Sequence, residues 1–248
     1  MNQWLLLAAA GFLAGAMNAM VGGGSFASFP ALIAAGVPPV MANASSAVAL
    51  YPGGLISSWV FRRGAGPIAG VSLALLSAVT AVGGLAGALL LLNTPGTTFD
   101  RLIPWLLLLA TLALAFGRRL DLSQVTAGIS RWGIVAGQFI LGAYGGYFGG
   151  AAGIMMVAFW TFAAGCEAKA VQAQRTLLVV AANSAAVLFF SATSIVRWDT
   201  VLILAPAALA GGYCGALVGL RLRPLHVRIA TVTIAAGVTL LFFLRAYA

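Results

Sequence analysis

Long apolar stretches recur along the whole chain and are separated by short polar connectors. Several are long enough to cross the ~30 Å hydrocarbon core of a bilayer as a helix, which takes about 20 residues. They do not alternate apolar with polar residues, as the strands of a membrane barrel do. The pattern therefore predicts an all-α integral membrane protein with about 8–10 helical segments.

Glycine clusters, prolines and polar connectors set the bounds of these predicted segments. They are Gln3–Met20, Ser25–Ala35, Pro38–Phe61, Pro67–Leu92, Arg101–Phe116, Trp132–Phe148, Gly153–Ala164, Glu167–Phe190, Thr200–Leu220 and Val227–Arg245. The longest polar connector, Gly117 to Trp132, falls near the middle of the chain.

The second half of the chain repeats the pattern of the first. The matched positions, at offsets of 127 to 129 residues, are Gly15 with Gly142, Gly36 with Gly165, Val82 with Ala210 and Arg101 with Arg228. A match sustained over four landmarks indicates an internal duplication. We therefore expect a first transmembrane repeat over residues 1–120 and a second over 121–248, which together form one domain.

Two short segments, each following a glycine cluster, decide the topology. A helix over Ser25–Ala35 rises only about 17 Å, too little to cross the bilayer. It either continues the preceding helix, giving four crossings per repeat, or folds back on it as a hairpin, leaving three. The three glycines of "AMVGGGSFASF" permit the tight turn that a hairpin needs.

The distribution of basic residues favours the hairpin, because basic residues concentrate on the cytoplasmic side of a membrane. With Arg175 left out because it lies inside a helix, four crossings per repeat divide them seven against five, whereas the hairpin divides them nine against three. The nine are Arg62, Arg63, Arg118, Arg119, Arg131, Lys169, Arg221, Arg223 and Arg228, and the three are Arg101, Arg197 and Arg245. Each repeat is therefore predicted to have three membrane-spanning helices plus a glycine-tipped helical hairpin.

An odd number of crossings per repeat inverts the second repeat relative to the first. It also places both chain termini outside the cytoplasm. Inverted repeats with interrupted helices are typical of secondary transporters, whose substrate binds near the bilayer midplane at the repeat interface.

The composition supports the membrane assignment and excludes several other functions. The chain is 62% hydrophobic and 7% charged, with a net charge of +9. Its basic residues lie mostly between apolar segments, which indicates topology rather than a nucleic-acid surface. The two cysteines have no metal-ligand or CxxC spacing, and the single histidine lies in a basic connector. The sequence predicts no nucleic-acid partner, no metal, no cofactor and no enzymatic activity.

Three stretches, together with the duplication, resemble the sulfite exporter TauE/SafE family, also called the toluenesulfonate uptake permeases. The stretches are "GFLAGAMNAMVGGGSFASFPALIAAGVPP", "ANASSAVALYPGGLISSWVFRR" and "GGYFGGAAGI". The likeness covers nearly the whole chain. It departs where Phe159 replaces the proline seen at Pro30, and where Ala151 and Ala152 interrupt the second glycine cluster.

The resemblance implies a function as well as a fold. A secondary transporter, acting as an exporter, would move a small anion such as sulfite, a sulfonate, sulfoacetate or a related oxyanion. It would do so by alternating access as a multi-pass protein of the bacterial inner membrane. The residues leave open which anion is moved, the direction, the coupling ion and the oligomeric state.

The two glycine clusters are the first candidate substrate-binding elements. Each would present a helix N-terminus and bare backbone N–H groups within the membrane, a combination that binds anions. The residues are Gly22, Gly23, Gly24 and Ser25 in the first repeat, and Gly149, Gly150 and Gly153 in the second. The other interpretation is close helix packing through small residues, which we assign to Gly83–Gly87 and Gly211–Gly215.

Arg175 is the predicted charged ligand, because an arginine within a membrane helix is costly and marks function. Its planar guanidinium suits sulfonate, sulfite or carboxylate oxygens. If its helix begins near Glu167, Arg175 lies about 12 Å inside. The polar residues expected near it are Gln172, Gln174 and Asn183 in the second repeat, and their counterparts Asn43, Ser45 and Ser46 in the first, with Asn18 a weaker candidate.

Two other functions could use the same parts. One is an anion channel, and the other is a non-catalytic membrane subunit of a larger complex.

Overall fold

The computed structural model describes residues 3–20, 22–116, 128–167, 170–219 and 224–247. In these residues the chain forms ten α-helices and no strand beyond an isolated bridge between Ile68 and Val71. The helices are α1 (Gln3–Met20), α2 (Ser25–Ala34), α3 (Pro39–Phe61), α4 (Leu73–Asn93), α5 (Gly96–Phe116), α6 (Arg131–Tyr147), α7 (Ala152–Ala164), α8 (Gln172–Ser191), α9 (Trp198–Gly219) and α10 (Pro224–Tyr247).

Six of the described helices are long and apolar enough to cross a membrane, namely α1, α4, α5, α8, α9 and α10. The short apolar helices are α2 and α7. The prediction of an all-α membrane protein is therefore confirmed.

Both short helices fold back along the helix before them. At the open end of the first pair, Gln3 Nε2 at the start of α1 donates to Ala35 O just after α2, at 3.0 Å. In the second pair, Ile129 N just before α6 donates to Ala163 O near the end of α7, at 3.1 Å. The chain thus reverses at each glycine cluster and forms two helical hairpins, α1/α2 and α6/α7.

The short helices lie in the centre of the molecule. Phe26, Phe29 and Leu32 of α2 are almost completely buried, as are Met156 and Trp160 of α7. The burial of these large side chains in the apolar core explains why both helices carry few polar residues. The hairpin turns are thereby held in the interior of the protein.

Three predicted helix starts were wrong. The helix placed at Pro67 begins at Leu73, because residues Ile68 and Val71 close a tight turn and Ser72 caps the helix by accepting from Leu75 N. The helix placed at Arg101 begins at Gly96, directly after Pro95, whose fixed φ suits a helix start.

The third wrong start is that of α8, which begins at Gln172 rather than near Glu167. Gly165 ends α7 in the left-handed conformation, with φ of 64°. Ala170 N then donates to Glu167 O at 2.9 Å in a turn, so the chain needs several residues before it can start the next helix. Arg175 consequently lies in the first turns of α8.

Two pairs of helices cross at very short distances through glycines. A methyl group on Gly15 of α1 would collide with the carbonyl of Ala208 in α9. A methyl group on Gly87 of α4 would likewise collide with the carbonyl of Ala143 in α6. The interpretation of Gly83–Gly87 and Gly211–Gly215 as helix-packing glycines is therefore confirmed.

These pairings also match the predicted duplication, since the offsets relate α1 to α6 and α9 to α4. A further contact fits the same rule, because Thr111 Oγ1 of α5 lies 2.9 Å from Thr239 Oγ1 of α10, 128 residues later. The duplication itself remains a prediction. Its boundary at residues 120 and 121 lies outside the described residues, as do Arg118, Arg119, Lys169, Arg221 and Arg223.

Candidate functional site

The first glycine cluster makes the turn between α1 and α2. Gly22 and Gly23 have φ of 81° and 145°, which residues with a side chain rarely adopt. Gly24 packs so closely on α1 that a methyl group there would lie 2.5 Å from Ala14 O. The local sequence thus explains the reversal, and α2 begins at Ser25 with its N-terminus at the turn.

The second cluster makes a similar turn with one residue that is not glycine. Gly149 has φ of 79°, and Ala151 has φ of 56° at the start of α7. Tyr144 of α6 donates its hydroxyl to Gly150 O at 2.8 Å, which fixes the turn against its own hairpin. The N-terminus of α7 therefore also points into the interior.

Both turns face one pair of adjoining cavities. The first has a volume of about 150 Å³ and contains Arg175, and we name it the arginine cavity. It is lined by Asn18, Gly22, Gly23, Gly54, Ser57, Phe61, Gly149, Ala151, Gly153, Thr176 and Val179, among others. Residues of both hairpins thus meet in one space.

The second space has a volume of about 110 Å³ and contains Asn43 and Asn183, and we name it the asparagine cavity. It is lined by Asn18, Gly23, Gly24, Ser25, Ser46, Tyr51, Gly54, Phe148, Gly149, Ala151 and Val179, among others. Asn43 Nδ2 donates to Tyr147 O at 2.8 Å, and Ser46 Oγ lies 2.6 Å from Ser28 Oγ. These bonds tie α3 to both hairpins.

Arg175 reaches the arginine cavity beside the second turn. Its Cγ and Cδ would lie 3.2 and 3.3 Å from a methyl group placed on Gly153, so its stem packs on the N-terminus of α7. Arg175 is half-buried there. The cavity therefore combines a guanidinium with the first backbone N–H groups of a helix, both of which favour an anion.

Four of the fourteen predicted site residues lie outside the lining of both cavities. Ser45 Oγ accepts from Arg197 N at 2.9 Å and so holds the α8–α9 connection. Gly150 contributes its carbonyl to the bond with Tyr144. Gln172 and Gln174 carry buried Oε1 atoms without a hydrogen-bond partner among the described residues. The other ten line one or both cavities.

Three polar side chains in the lining, those of Ser57, Thr176 and Tyr51, were not predicted from the sequence. Ser57 and Thr176 donate to carbonyls of their own helices, at 2.9 and 3.0 Å, and still line the arginine cavity. Tyr51 lines the asparagine cavity, and its hydroxyl lies 2.7 Å from Ser184 Oγ of α8. Helical spacing could have suggested Ser57, which lies one turn after Gly54.

The cavities are electrostatically suited to a negative ligand. In the described part of the chain, no acidic side chain lines either of them. Among the same residues, no three His, Cys, Asp or Glu side chains are grouped so that they could hold a metal ion.

A family model described as sulfite exporter TauE/SafE matches residues 7–242. The chain belongs to the TauE/SafE family. The probable membrane transporter protein YfcA of Escherichia coli K12 is 29% identical to this TauE/SafE protein over 215 residues, which cover 85% of the chain and 77% of YfcA.

Two further relatives have similar names. The probable membrane transporter protein ORF9 of a Sinorhizobium species is 30% identical over 221 residues, covering 86% of this chain and 80% of its own. A probable membrane transporter protein of Haemophilus influenzae is 25% identical over 214 residues, which cover 85% of this chain and 83% of the relative. No solved structure has significant similarity to the chain.

Family membership and the apolar helices establish the broad function. This TauE/SafE protein is a multi-pass membrane transporter with a small-molecule substrate.

Proposed function

We propose that this transporter moves a small oxyanion, such as sulfite, a sulfonate or sulfoacetate, by binding it between the two glycine turns. The observation that carries the proposal is the position of Arg175, which lines one cavity together with Gly22 and Gly23 of the first turn and Gly149 and Gly153 of the second. An anion there would meet a cation and the N-terminus of α7, while the N-terminus of α2 lies at the adjoining asparagine cavity. The family supplies the sulfur oxyanions as the substrate class and export as the direction.

The anion would bind by charge and hydrogen bonding rather than by a metal. Arg175 would contribute a planar pair of N–H donors, while the backbone N–H groups at the start of α7 would contribute further donors. Ser57 and Thr176 also line this cavity, and their hydroxyl hydrogens are donated to carbonyls of their own helices. The protein would act as a carrier and not as an enzyme, because none of these groups needs to react with the substrate.

We further propose the membrane arrangement that the charge distribution predicts. Residues 1–120 and 121–248 would form two inverted repeats of one transport domain in the bacterial inner membrane. The end of α3 that carries Arg62 would face the cytoplasm, and both termini would lie outside it. Alternating access would then follow from movement of one repeat relative to the other.

Replacing Arg175 tests the anion site. In reconstituted vesicles we expect Arg175→Ala to lower sulfite or sulfonate flux at least tenfold, because a lost charge-assisted hydrogen bond amounts to roughly 1.5–3 kcal/mol. Arg175→Lys keeps the charge but not the planar donors, so its flux should fall between that of the unaltered protein and that of Arg175→Ala.

Arg62→Ala is the matched control. Arg62 is exposed near the same end of the molecule, and its guanidinium stacks on Trp59 with Cζ 3.4 Å from the ring centre. The Arg62→Ala substitution removes the same charge without touching either cavity. The flux of this variant should therefore stay within about twofold of that of the unaltered protein. Anion flux that is insensitive to Arg175→Ala, or no anion flux at all, would contradict the proposed function.

The same vesicles separate a carrier from an anion channel. A carrier passes a few ions per conformational cycle, and such cycles take microseconds or longer. Resolvable single-channel currents through the reconstituted protein would therefore favour the channel.

A further inference from the structure

The arginine cavity and the asparagine cavity share a closed set of wall residues. Six residues line both, namely Asn18, Gly23, Gly54, Gly149, Ala151 and Val179. They come from α1, the first turn, α3, the second turn and α8. Helices α1, α3 and α8 and both glycine turns thus contribute to this set, which we name the ring.

The two cavities lie on opposite sides of the ring along α3 and α8. These helices are antiparallel, because Tyr51 bonds Ser184 whereas Gly54, one turn further along α3, packs beside Val180, one turn earlier in α8. The arginine cavity is lined by the end of α3 and the start of α8, whereas the asparagine cavity is lined by the earlier part of α3 and the later part of α8. The ring therefore separates two spaces stacked along the helix axes.

One face of α8 passes through both spaces. Thr176 lines only the arginine cavity, Val179 belongs to the ring, and Asn183 lines only the asparagine cavity. Their spacing of three and then four residues places them on the same helix face. The three residues therefore mark three successive positions along the helix axis, from the arginine cavity through the ring to the asparagine cavity.

Half of the ring residues are glycines, so only three side chains set its width. Three of its members are glycines, and the larger side chains are those of Asn18 and Val179. Ala151 keeps a methyl group despite its φ of 56°, a conformation that glycine adopts at much lower cost. A strained non-glycine residue within a glycine turn, at the wall of both cavities, indicates that its methyl group has a role there.

We propose that the ring is the constriction through which the substrate passes between the two cavities, and that Ala151 and Val179 set the size of what passes. The proposal rests on the proposed function only for the identity of the substrate. Removing the Ala151 methyl group widens the ring. Adding a side chain at Gly54 narrows it, and a methyl group at that position would lie 3.5 Å from Val180 Cγ2, in ordinary contact.

Thiol labelling tests the separation of the two spaces by reaction rates rather than by transport. In a background with Cys166→Ser and Cys214→Ser, Thr176→Cys and Asn183→Cys are each exposed to membrane-impermeant sulfonatoethyl methanethiosulfonate from one side of oriented vesicles. We expect the two positions to react at least tenfold faster from opposite sides. Adding Ala151→Gly should raise the slower rate of each at least fivefold, and adding Gly54→Val should lower it.

Transport of anions of graded size tests the width directly. Ala151→Gly should raise the ratio of benzenesulfonate to sulfite flux at least fivefold, and Gly54→Val should lower flux of both at least tenfold. Gly53→Val is the matched control, since Gly53 has no atom within 4 Å of its missing side chain and lines neither the arginine cavity nor the asparagine cavity. Its flux and size ratio should stay within twofold of the unaltered protein.

The outcomes separate the two proposals. Equal labelling of both cysteines from one side, or labelling and size ratios that Ala151→Gly and Gly54→Val leave unchanged, overturns the ring. Absence of anion flux with sided labelling that responds to Ala151→Gly overturns the proposed substrate and keeps the ring. A melting temperature for each variant within a few degrees of the unaltered protein shows that folding is not the cause.

Discussion

Gln138 of α6 is completely buried and joins three helices through one amide group. Its Nε2 donates to Thr80 Oγ1 of α4 at 2.8 Å, and its Oε1 accepts from Trp160 Nε1 of α7 at 3.0 Å. Both ends of the amide are therefore satisfied in an apolar interior. This network fixes the second hairpin on α4.

Replacing Gln138 should destabilise the protein. Gln138→Leu keeps a similar volume but leaves Trp160 Nε1 unpaired, so we expect the free energy of unfolding in mixed micelles to fall by about 1–2 kcal/mol. The control is Asn93→Leu, because Asn93 is exposed and bonds only Leu89 O in its own helix. Equal loss in both variants would contradict a special role of the buried network.

At the scale of residues, the sequence predicts which side chains have suitable chemistry better than it predicts the direction in which they point. Arg175 and the glycines could be singled out because charge and missing side chains are visible in the chain. Ser45 and Ser46 could not be told apart, since neighbours on a helix point about 100° apart and only the packing of α3 decides which one faces the asparagine cavity. For the same reason the sequence could not tell Gln174 from Arg175, since Gln174 lies one position away and outside the cavity lining.

At the scale of elements, the glycine crossings determine which helices pair. Gly15 and Gly87 let α1 meet α9, and α4 meet α6, with backbone against backbone. Such contacts replace the hydrophobic driving force that is missing between helices in lipid. The spacing of small residues was visible in the sequence, but the partner of each helix was not, because an identical pattern occurs on several helices.

Enlarging a crossing glycine should separate its helix pair. We expect Gly15→Ala to lower the free energy of unfolding by about 1–3 kcal/mol, since its methyl group meets the backbone of Ala208 and cannot be accommodated by a rotamer change. Gly237→Ala in α10 is the control, because nothing lies within 4 Å of its missing methyl group.

Thermal unfolding in detergent measures both variants. A melting temperature that falls equally for Gly15→Ala and Gly237→Ala would show that helix flexibility, and not the crossing, causes the loss.

The helix starts that were misplaced, at Leu73, Gly96 and Gln172, have a similar lesson. Apolar patterning gives the length of a buried run, whereas a cap such as Ser72 or a turn such as Ile68–Val71 gives the boundary.

At the scale of the whole molecule, the inverted arrangement stays a prediction from the distribution of basic residues. The two hairpins and the antiparallel pairing of α3 with α8 are consistent with it. The sequence could predict the hairpins because too short a helix and a glycine cluster coincide. It could not predict the paired cavities, which exist only where helices and turns from both halves of the chain meet.

Reporter fusions test the orientation. We expect alkaline phosphatase, which is active only outside the bacterial cytoplasm, to be active when fused after Ala248 and inactive when inserted after Arg63. The expectation follows from the nine-to-three division of basic residues. Green fluorescent protein at the same two positions is the control and should give the opposite pattern. The reverse result at both positions would overturn the proposed topology.

The pairing of α1 with α9 also constrains how the protein is made. α9 begins at Trp198, nearly 180 residues after α1 ends at Met20. At about 5–20 residues per second, α1 would spend roughly 10–40 s in the bilayer before its main partner leaves the ribosome. Its exposed glycine stripe must be shielded during that time by lipid or by the insertion machinery. Synthesis rate and chaperoning at the membrane, more than the stability of any single helix, would then limit the yield of this protein.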